Sequence, residues 1–331
     1  MKQKLVRFLQ FIIFLGLGIW IFWFLYKDFD FSRLKKYLEE VDYFWVLMSI
    51  VVTLLSYMSR ARRWILMIEP LGVKPSFRFS FIAIMIGYLM NLVVPRMGEV
   101  ARCGVLSRAS KISFTSLIGT LITERFIDLI TLLLLTASVV LSQFGHIRKF
   151  MDNNPSIYET IINIITSPWL WGLFFIAIIL LIVWWLKVRK TEFFDKVKNF
   201  FRNFIKGLQT VLNMKRKWEF LFHTLFIWGM YFLMMYLMFF AFDFTSQLPV
   251  GAAFMAFIMG SYGMLAPVNG GIGTWHFMVI QSLLVFGASA LDGEVFALVA
   301  HFVSTAFVIV VGLISLVILP LVTKKMLPKP E

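Results

Sequence analysis

The chain has one cysteine, four histidines and few charged residues: Asp, Glu, Lys and Arg make up 15% of its 331 positions, against about 25% in soluble domains. A lone Cys103 excludes an intrachain disulfide and any multi-cysteine zinc or iron–sulfur centre. The histidines are too scattered to propose a metal site, and no nucleotide-binding glycine motif is present. No nucleophile–base pair stands out either, because Ser304 and Thr305 share a helix with His301, a poor geometry for a triad. The sequence therefore gives no reason to expect a cofactor, a metal or an enzyme active site.

What is abundant is apolar. Sixty per cent of the residues are hydrophobic, including 37 Phe and 11 Trp. A soluble protein of this size would expose far too much of that surface. The apolar runs are continuous, whereas a β-barrel would alternate in segments of about ten residues. The expected fold is an all-α polytopic membrane protein, with residues 1–331 forming one integral membrane domain.

Crossing a bilayer takes about 20 helical residues. Apolar runs lie at 8–26, 43–59, 81–94, 112–143, 169–186, 220–242, 254–266, 274–287 and 295–321. The first follows Lys2, Lys4 and Arg7 but is too long for a signal peptide and lacks a cleavage site, so it reads as a retained helix. Segment charges give orientation. Residues 1–7, 60–78, 187–218 and 321–331 carry +3, +4, +8 and +2. Residues 27–42, 144–168, 243–249 and 290–294 carry −1, 0, −1 and −2. Alternation puts both termini in the cytoplasm of an inner membrane. The overall charge of +14 then reports loop orientation and attraction to anionic lipid, with no need for nucleic acid.

Two runs, 81–94 and 254–266, are too short to span, and each ends at a proline followed three residues later by glycine. Short, Pro/Gly-interrupted runs at matching places point to re-entrant helices. The charge alternation then gives about six full crossings and two re-entrant hairpins. One spans about 79–111 and approaches from the cytoplasm; the other spans about 250–290 and approaches from outside. Phe81-Ile-Ala-Ile-Met-Ile-Gly87 parallels Phe254-Met-Ala-Phe-Ile-Met-Gly260, and Pro95–Gly98 parallels Pro267–Gly270. An inverted repeat is the expected arrangement. Residues 191–214 read as an amphipathic helix on the cytoplasmic leaflet, with Phe193, Phe194, Val197, Phe200 and Phe201 at helical spacing among Lys196, Lys198 and Arg202.

Three segments carry polar groups to membrane depth. Asn91, Arg96, Glu99 and Arg102 surround the first Pro–Gly turn. Either their charges snorkel from an interfacial loop, or Arg96 or Arg102 holds a phosphate while Glu99 pairs with an arginine or meets a cationic group. Glu124, Arg125 and Asp128 interrupt the run 112–143, at about 2.5–3.5 kcal/mol each if unpaired at mid-helix. They mark either a helix boundary or a buried ionic cluster, with Glu124 and Asp128 on one face. The third segment holds Asn269, Gly270, Gly271, Gly273 and His276. Its glycines allow close backbone approach, and N–H groups at the start of the next helix favour anions. His301 adds a polar group on the last helix, where interhelical hydrogen bonding is the default role.

Taken together, Pro95…Gly98-Glu99, Glu124-Arg125…Asp128 and Pro267…Gly270-Gly-Ile-Gly273 resemble the membrane region of lysylphosphatidylglycerol synthases, also described as flippase-like integral membrane proteins. The multiple peptide resistance factor carries this region fused to a cytosolic aminoacyl-transferase domain. The resemblance covers roughly residues 5–320. It implies paired re-entrant elements and a role in moving lipids between leaflets, with Glu99, Glu124, Arg125, Asp128, Gly270, Gly271 and Gly273 at the family's motif positions. One departure is His276, which stands where the family pattern has Glu, so the resemblance implies no fixed anionic charge at that position. No room for a transferase domain is expected after residue 321.

The expected function is translocation of a lipid or lipid-linked precursor. Its partners would be membrane lipids, anionic phospholipid or polyprenyl-phosphate-linked, and a separate lipid-modifying enzyme. The alternatives are a non-transporting scaffold for an envelope-lipid enzyme, or an intramembrane lipid-modifying enzyme.

Overall fold

The computed structural model describes residues 16–27, 29, 31–109, 112–188 and 214–323. The expected amphipathic helix at 191–214 lies almost wholly outside them, as do the basic residues before the first helix. Every regular element among the described residues is helical. In chain order they are α1 (Gly16–Tyr26), α2 (Phe31–Glu40), α3 (Tyr43–Ile68), α4 (Phe77–Val93), α5 (Met97–Ala109), α6 (Phe114–Ser142) and α7 (Phe144–Asn153). There follow α8 (Pro155–Thr166), α9 (Pro168–Val188), α10 (Lys217–Phe240), α11 (Asp243–Ser246), α12 (Val250–Leu265), α13 (Thr274–Val285) and α14 (Ala290–Thr323).

Among the described residues, four helices are long and apolar enough to cross a membrane: α3 with its 3-10 extension (Tyr43–Leu71), α6, α10 and α14. Their ends follow local chemistry. Asp42 caps α3 by accepting from the Phe44 N–H, Ser76 caps α4 through the Phe79 N–H, and Ser113 caps α6 through the Ser116 N–H. The run 112–143 is one continuous helix of 29 residues. Glu124 and Asp128 are therefore mid-helix groups and not the seam between two helices.

Antiparallel packing of α3 on α10 gives the molecule two ends. At one, the Asp42 N–H donates to the Ala241 carbonyl at 3.0 Å. At the other, Arg216 pairs with Glu69 at 3.6 Å. The helical hairpin α4–α5 starts from the Glu69 end, and α12–α13 starts from the Ala241 end. At 17 and 16 residues, α4 and α12 are each about 25 Å long, short of a bilayer's apolar thickness of about 30 Å.

The two hairpins meet at their tips. Asn269 Nδ2 donates to the carbonyls of Leu92 and Val93 at 3.2 and 2.8 Å, and Arg96 Nη2 donates to the Leu265 carbonyl at 2.8 Å. Each hairpin is closed by glycine. A Cβ on Gly87 would lie 2.8 Å from the Gly98 carbonyl oxygen, and one on Gly263 would lie 2.6 Å from the Trp275 Cα. The core follows this division. One buried cluster packs Trp64, Phe79, Ile84, Cys103, Leu106 and Leu117 around the first hairpin; the larger one packs Phe239, Phe257, Val279 and Phe296 around the second.

Candidate functional site

On α6, Glu124 is fully buried, and no lone carboxylate survives ionised in such a place without partners. Three arginines surround it. Arg60 Nε and Arg63 Nη2 each donate to Oε1 at 3.1 Å, and Arg102 Nη2 donates to Oε2 at 2.5 Å. One turn on, Asp128 takes Arg63 Nη1 at 2.8 Å, Arg60 Nη2 at 3.5 Å and Arg125 Nη1 at 3.6 Å. Arg125 continues outward to Glu99 at 2.8 Å, where the network becomes part-exposed. Charge-assisted contacts at this burial are strong individually, and together they offset the cost of placing charge at membrane depth.

Aromatic groups complete the walls. Arg60 Nη1 donates to the hydroxyls of Tyr88 on α4 and Tyr231 on α10 at 2.9 and 3.1 Å. The Arg102 guanidinium lies over the Trp64 ring, 4.9 Å from its centroid. Five helices thus supply one polar cluster: α3, α4, α5, α6 and α10.

Arg60 and Arg63 are functional candidates that sequence reasoning placed elsewhere. Hydropathy reads a run ending at Ser59 and counts both arginines as loop charge. In fact α3 continues to Ile68, and both side chains are buried. Two of the five basic residues in 60–78 are therefore buried partners of acids, and that segment's own surplus falls from +4 to +2. The signal was present: Arg60 and Arg63 are three apart, on one helix face, and the apolar sequence resumes at once with Trp64–Ile68. Arg62, off that face, pairs instead with Glu219 at 2.9 Å.

The remaining candidates gather at the tips and the second hairpin. Asn91 Oδ1 accepts from the Gly98 N–H at 2.7 Å and closes its own turn. Arg96 sits at φ 60 and reaches across to the other hairpin. Asn269 reaches back. Gly270, Gly271 and Gly273 all have positive φ, at 58°, 77° and 82°, a region L side chains avoid. Their close neighbours are Leu92, Met264 and α1 respectively; a Cβ on Gly273 would stand 2.7 Å from the Gly18 carbonyl oxygen.

Below this turn, the His276 and His301 rings pack against each other with centroids 4.5 Å apart and planes tilted by 45°, both buried. The hydrogen bonds fix their tautomers. His301 Nε2–H donates to the Gly270 carbonyl at 2.9 Å, leaving Nδ1 to accept from Thr305 Oγ1 at 3.3 Å. His276 Nδ1 accepts from the Gly273 N–H at 3.3 Å. Phe22, Tyr26 and Trp275 pack edge-on around His276. The pair is thus a neutral, hydrogen-bonded element that pins the glycine turn to α14.

The sequence-predicted residues therefore form two groups. Glu99, Arg102, Glu124, Arg125 and Asp128 are one ionic cluster; Asn269, Gly270, Gly271, Gly273, His276 and His301 are one glycine-turn cluster. Asn91 and Arg96 lie at the junction, and Tyr88 and Leu92 put the two groups one turn apart along α4. Cys103 is fully buried on α5, within the core around the first hairpin.

Among the described residues no group of His, Cys, Asp and Glu is placed to hold a metal ion. No curated protein and no solved structure matches the chain. Residues 8–312 match the family model described as the lysylphosphatidylglycerol synthase TM region, and with its apolar spans and buried charges the chain belongs to that family of multi-pass membrane proteins.

Proposed function

We propose that this protein moves the polar headgroup of a lipid or lipid-linked precursor across the cytoplasmic membrane, through the space where the two hairpins meet. Both hairpins are re-entrant in this reading. They form an inverted repeat that approaches from opposite leaflets, with both chain termini cytoplasmic. The protein itself makes and breaks no covalent bond. A separate lipid-modifying enzyme supplies or consumes its cargo.

One observation carries the reading: Glu124 sits at zero exposure among three arginines, inside a protein of lipid surroundings. A purely structural helix core has no need of such a cluster, since apolar residues of equal volume are commonly as stable or more so. Arginines that can exchange an internal carboxylate for a headgroup phosphate give the cluster a use. The headgroup thereby avoids bare hydrocarbon.

Proteoliposomes containing labelled phospholipids or polyprenyl-phosphate sugars test the proposal. The wild type is expected to accelerate movement of at least one class, and Glu124→Gln to fall to the rate of empty vesicles. Glu99→Gln, on the half-exposed rim, is the second variant in case Glu124→Gln does not fold. A wild-type rate equal to that of empty vesicles for every lipid overturns the proposal. Full cellular function in Glu124→Gln, with a co-purifying enzyme, favours a scaffold role instead.

A further inference from the structure

Two helices end where the hairpins meet, and the last carbonyls of a helix have no partner within it. Here they belong to Leu92 and Val93 at the end of α4 and to Leu265 at the end of α12. The donors at the same turns are bound inside their own hairpins: the Gly98 N–H goes to Asn91 and the Gly273 N–H to His276. The carbonyls are instead met from the opposite hairpin. The junction is therefore rich in oxygens, and each helix C-terminus brings about half a negative charge to it.

The two helix ends are met unequally. On the α12 side the Leu265 carbonyl accepts from a cation, Arg96 Nη2, at 2.8 Å. On the α4 side the Leu92 and Val93 carbonyls accept from a neutral amide, Asn269 Nδ2, at 3.2 and 2.8 Å. The oxygen of that amide, Asn269 Oδ1, is buried with no donor among the described residues, on a residue 4% exposed. A buried acceptor without a donor is costly. Because Oδ1 belongs to the amide that touches both carbonyls, the three oxygens are close neighbours. Each carbonyl keeps a second lone pair beyond the one given to the amide. The acid nearest in sequence to the first turn, Glu99, is committed to Arg125 at 2.8 Å.

We infer that the α4 side of this junction is a binding site for an alkali cation such as sodium, held by Asn269 Oδ1 and the carbonyls of Leu92 and Val93. Neutral oxygens suit a singly charged hard cation. A divalent ion calls for carboxylates, and a transition metal for imidazole or thiolate. Helix C-termini and unwound carbonyls at the breaks of discontinuous helices are suited to such ions. Val93 and Arg96 beside the site are exposed, which leaves a side for entry. The bound cation does for α4 what Arg96 does for α12, and it ties the two hairpin tips together. The site stands on the geometry of the tips; its use as a coupling ion rests on the transport reading above.

Melting of the full chain in detergent tests it, with sodium chloride titrated against choline chloride at constant ionic strength. Wild type is expected to gain melting temperature saturably with sodium. Asn269→Asp gives the site a fixed negative charge and should lower the half-saturating sodium concentration by about tenfold. Asn269→Leu removes the amide oxygen and should abolish the response; if it does not fold, Asn269→Asp suffices. Wild-type melting that is the same in sodium and in choline overturns the inference. So does a sodium response left unchanged by Asn269→Asp, since an amide that merely joins the hairpins would shift melting in both salts alike. Sodium-dependent stabilisation of a protein that moves no lipid overturns the transport proposal and leaves this site standing. Sodium-blind melting of a protein that does move lipid has the reverse effect.

Discussion

The two hairpins are built alike and filled differently. Each is a pair of short helices closed by glycine, and each is followed by a long helix that carries a buried polar residue about three turns from its start. Glu124 lies ten residues beyond the start of α6, and His301 eleven beyond the start of α14. Around Glu124 the contacts are ion pairs. Around His301 they are neutral hydrogen bonds to Gly270 and Thr305. A charged network at this depth can exchange one anion for another with its arginines in place. A neutral histidine pair wedged under a glycine turn fixes backbone. On the transport proposal, the first hairpin would hold the headgroup and the second would give it a firm edge.

Several substitutions would break or sharpen that contrast. Glu124→Ala leaves three buried arginines short of a partner and should cost about 3–5 kcal/mol of stability, read as a large fall in melting temperature in detergent. His301→Leu should cost less, about 1–3 kcal/mol, because it orphans neutral groups only; equal losses would erase the distinction. Gly273→Ala forces a side chain into φ 82 and against α1, at about 1–3 kcal/mol. Gly104→Ala is its control: nothing lies within 4 Å and the site is helical, so a gain of up to about 1 kcal/mol is expected. The smallest effect should come from Arg62→Ala. Its half-exposed pair with Glu219 is worth about 0–1 kcal/mol, although Arg62 is a near neighbour in sequence of both buried arginines.

The sequence made much of this readable, for physical reasons. The four long apolar helices among the described residues follow from length and hydropathy. The paired short helices and their turns follow from proline and glycine at matching offsets. Glu124 and Asp128 follow from their cost in an apolar run. Arg60 and Arg63 were not readable in the same way, since two arginines at the end of an apolar run look like a cytoplasmic flank. Only the acids 60 residues downstream reveal them as buried. The packing of His276 against His301 was hidden too, because it depends on how α13 folds back onto α14. Asn91 and Asn269 were legible as turn residues, but their partners were not: one closes its own turn and the other joins the two hairpins.

The most direct test of the account is a high-resolution structure of the protein in nanodiscs rich in a phosphodiester lipid. Phosphate density is expected about 3 Å from the guanidinium of Arg63 or Arg102, between the hairpins. Lipid density confined to the protein's perimeter, with Glu124 and Asp128 still the only anions on those arginines, would contradict it.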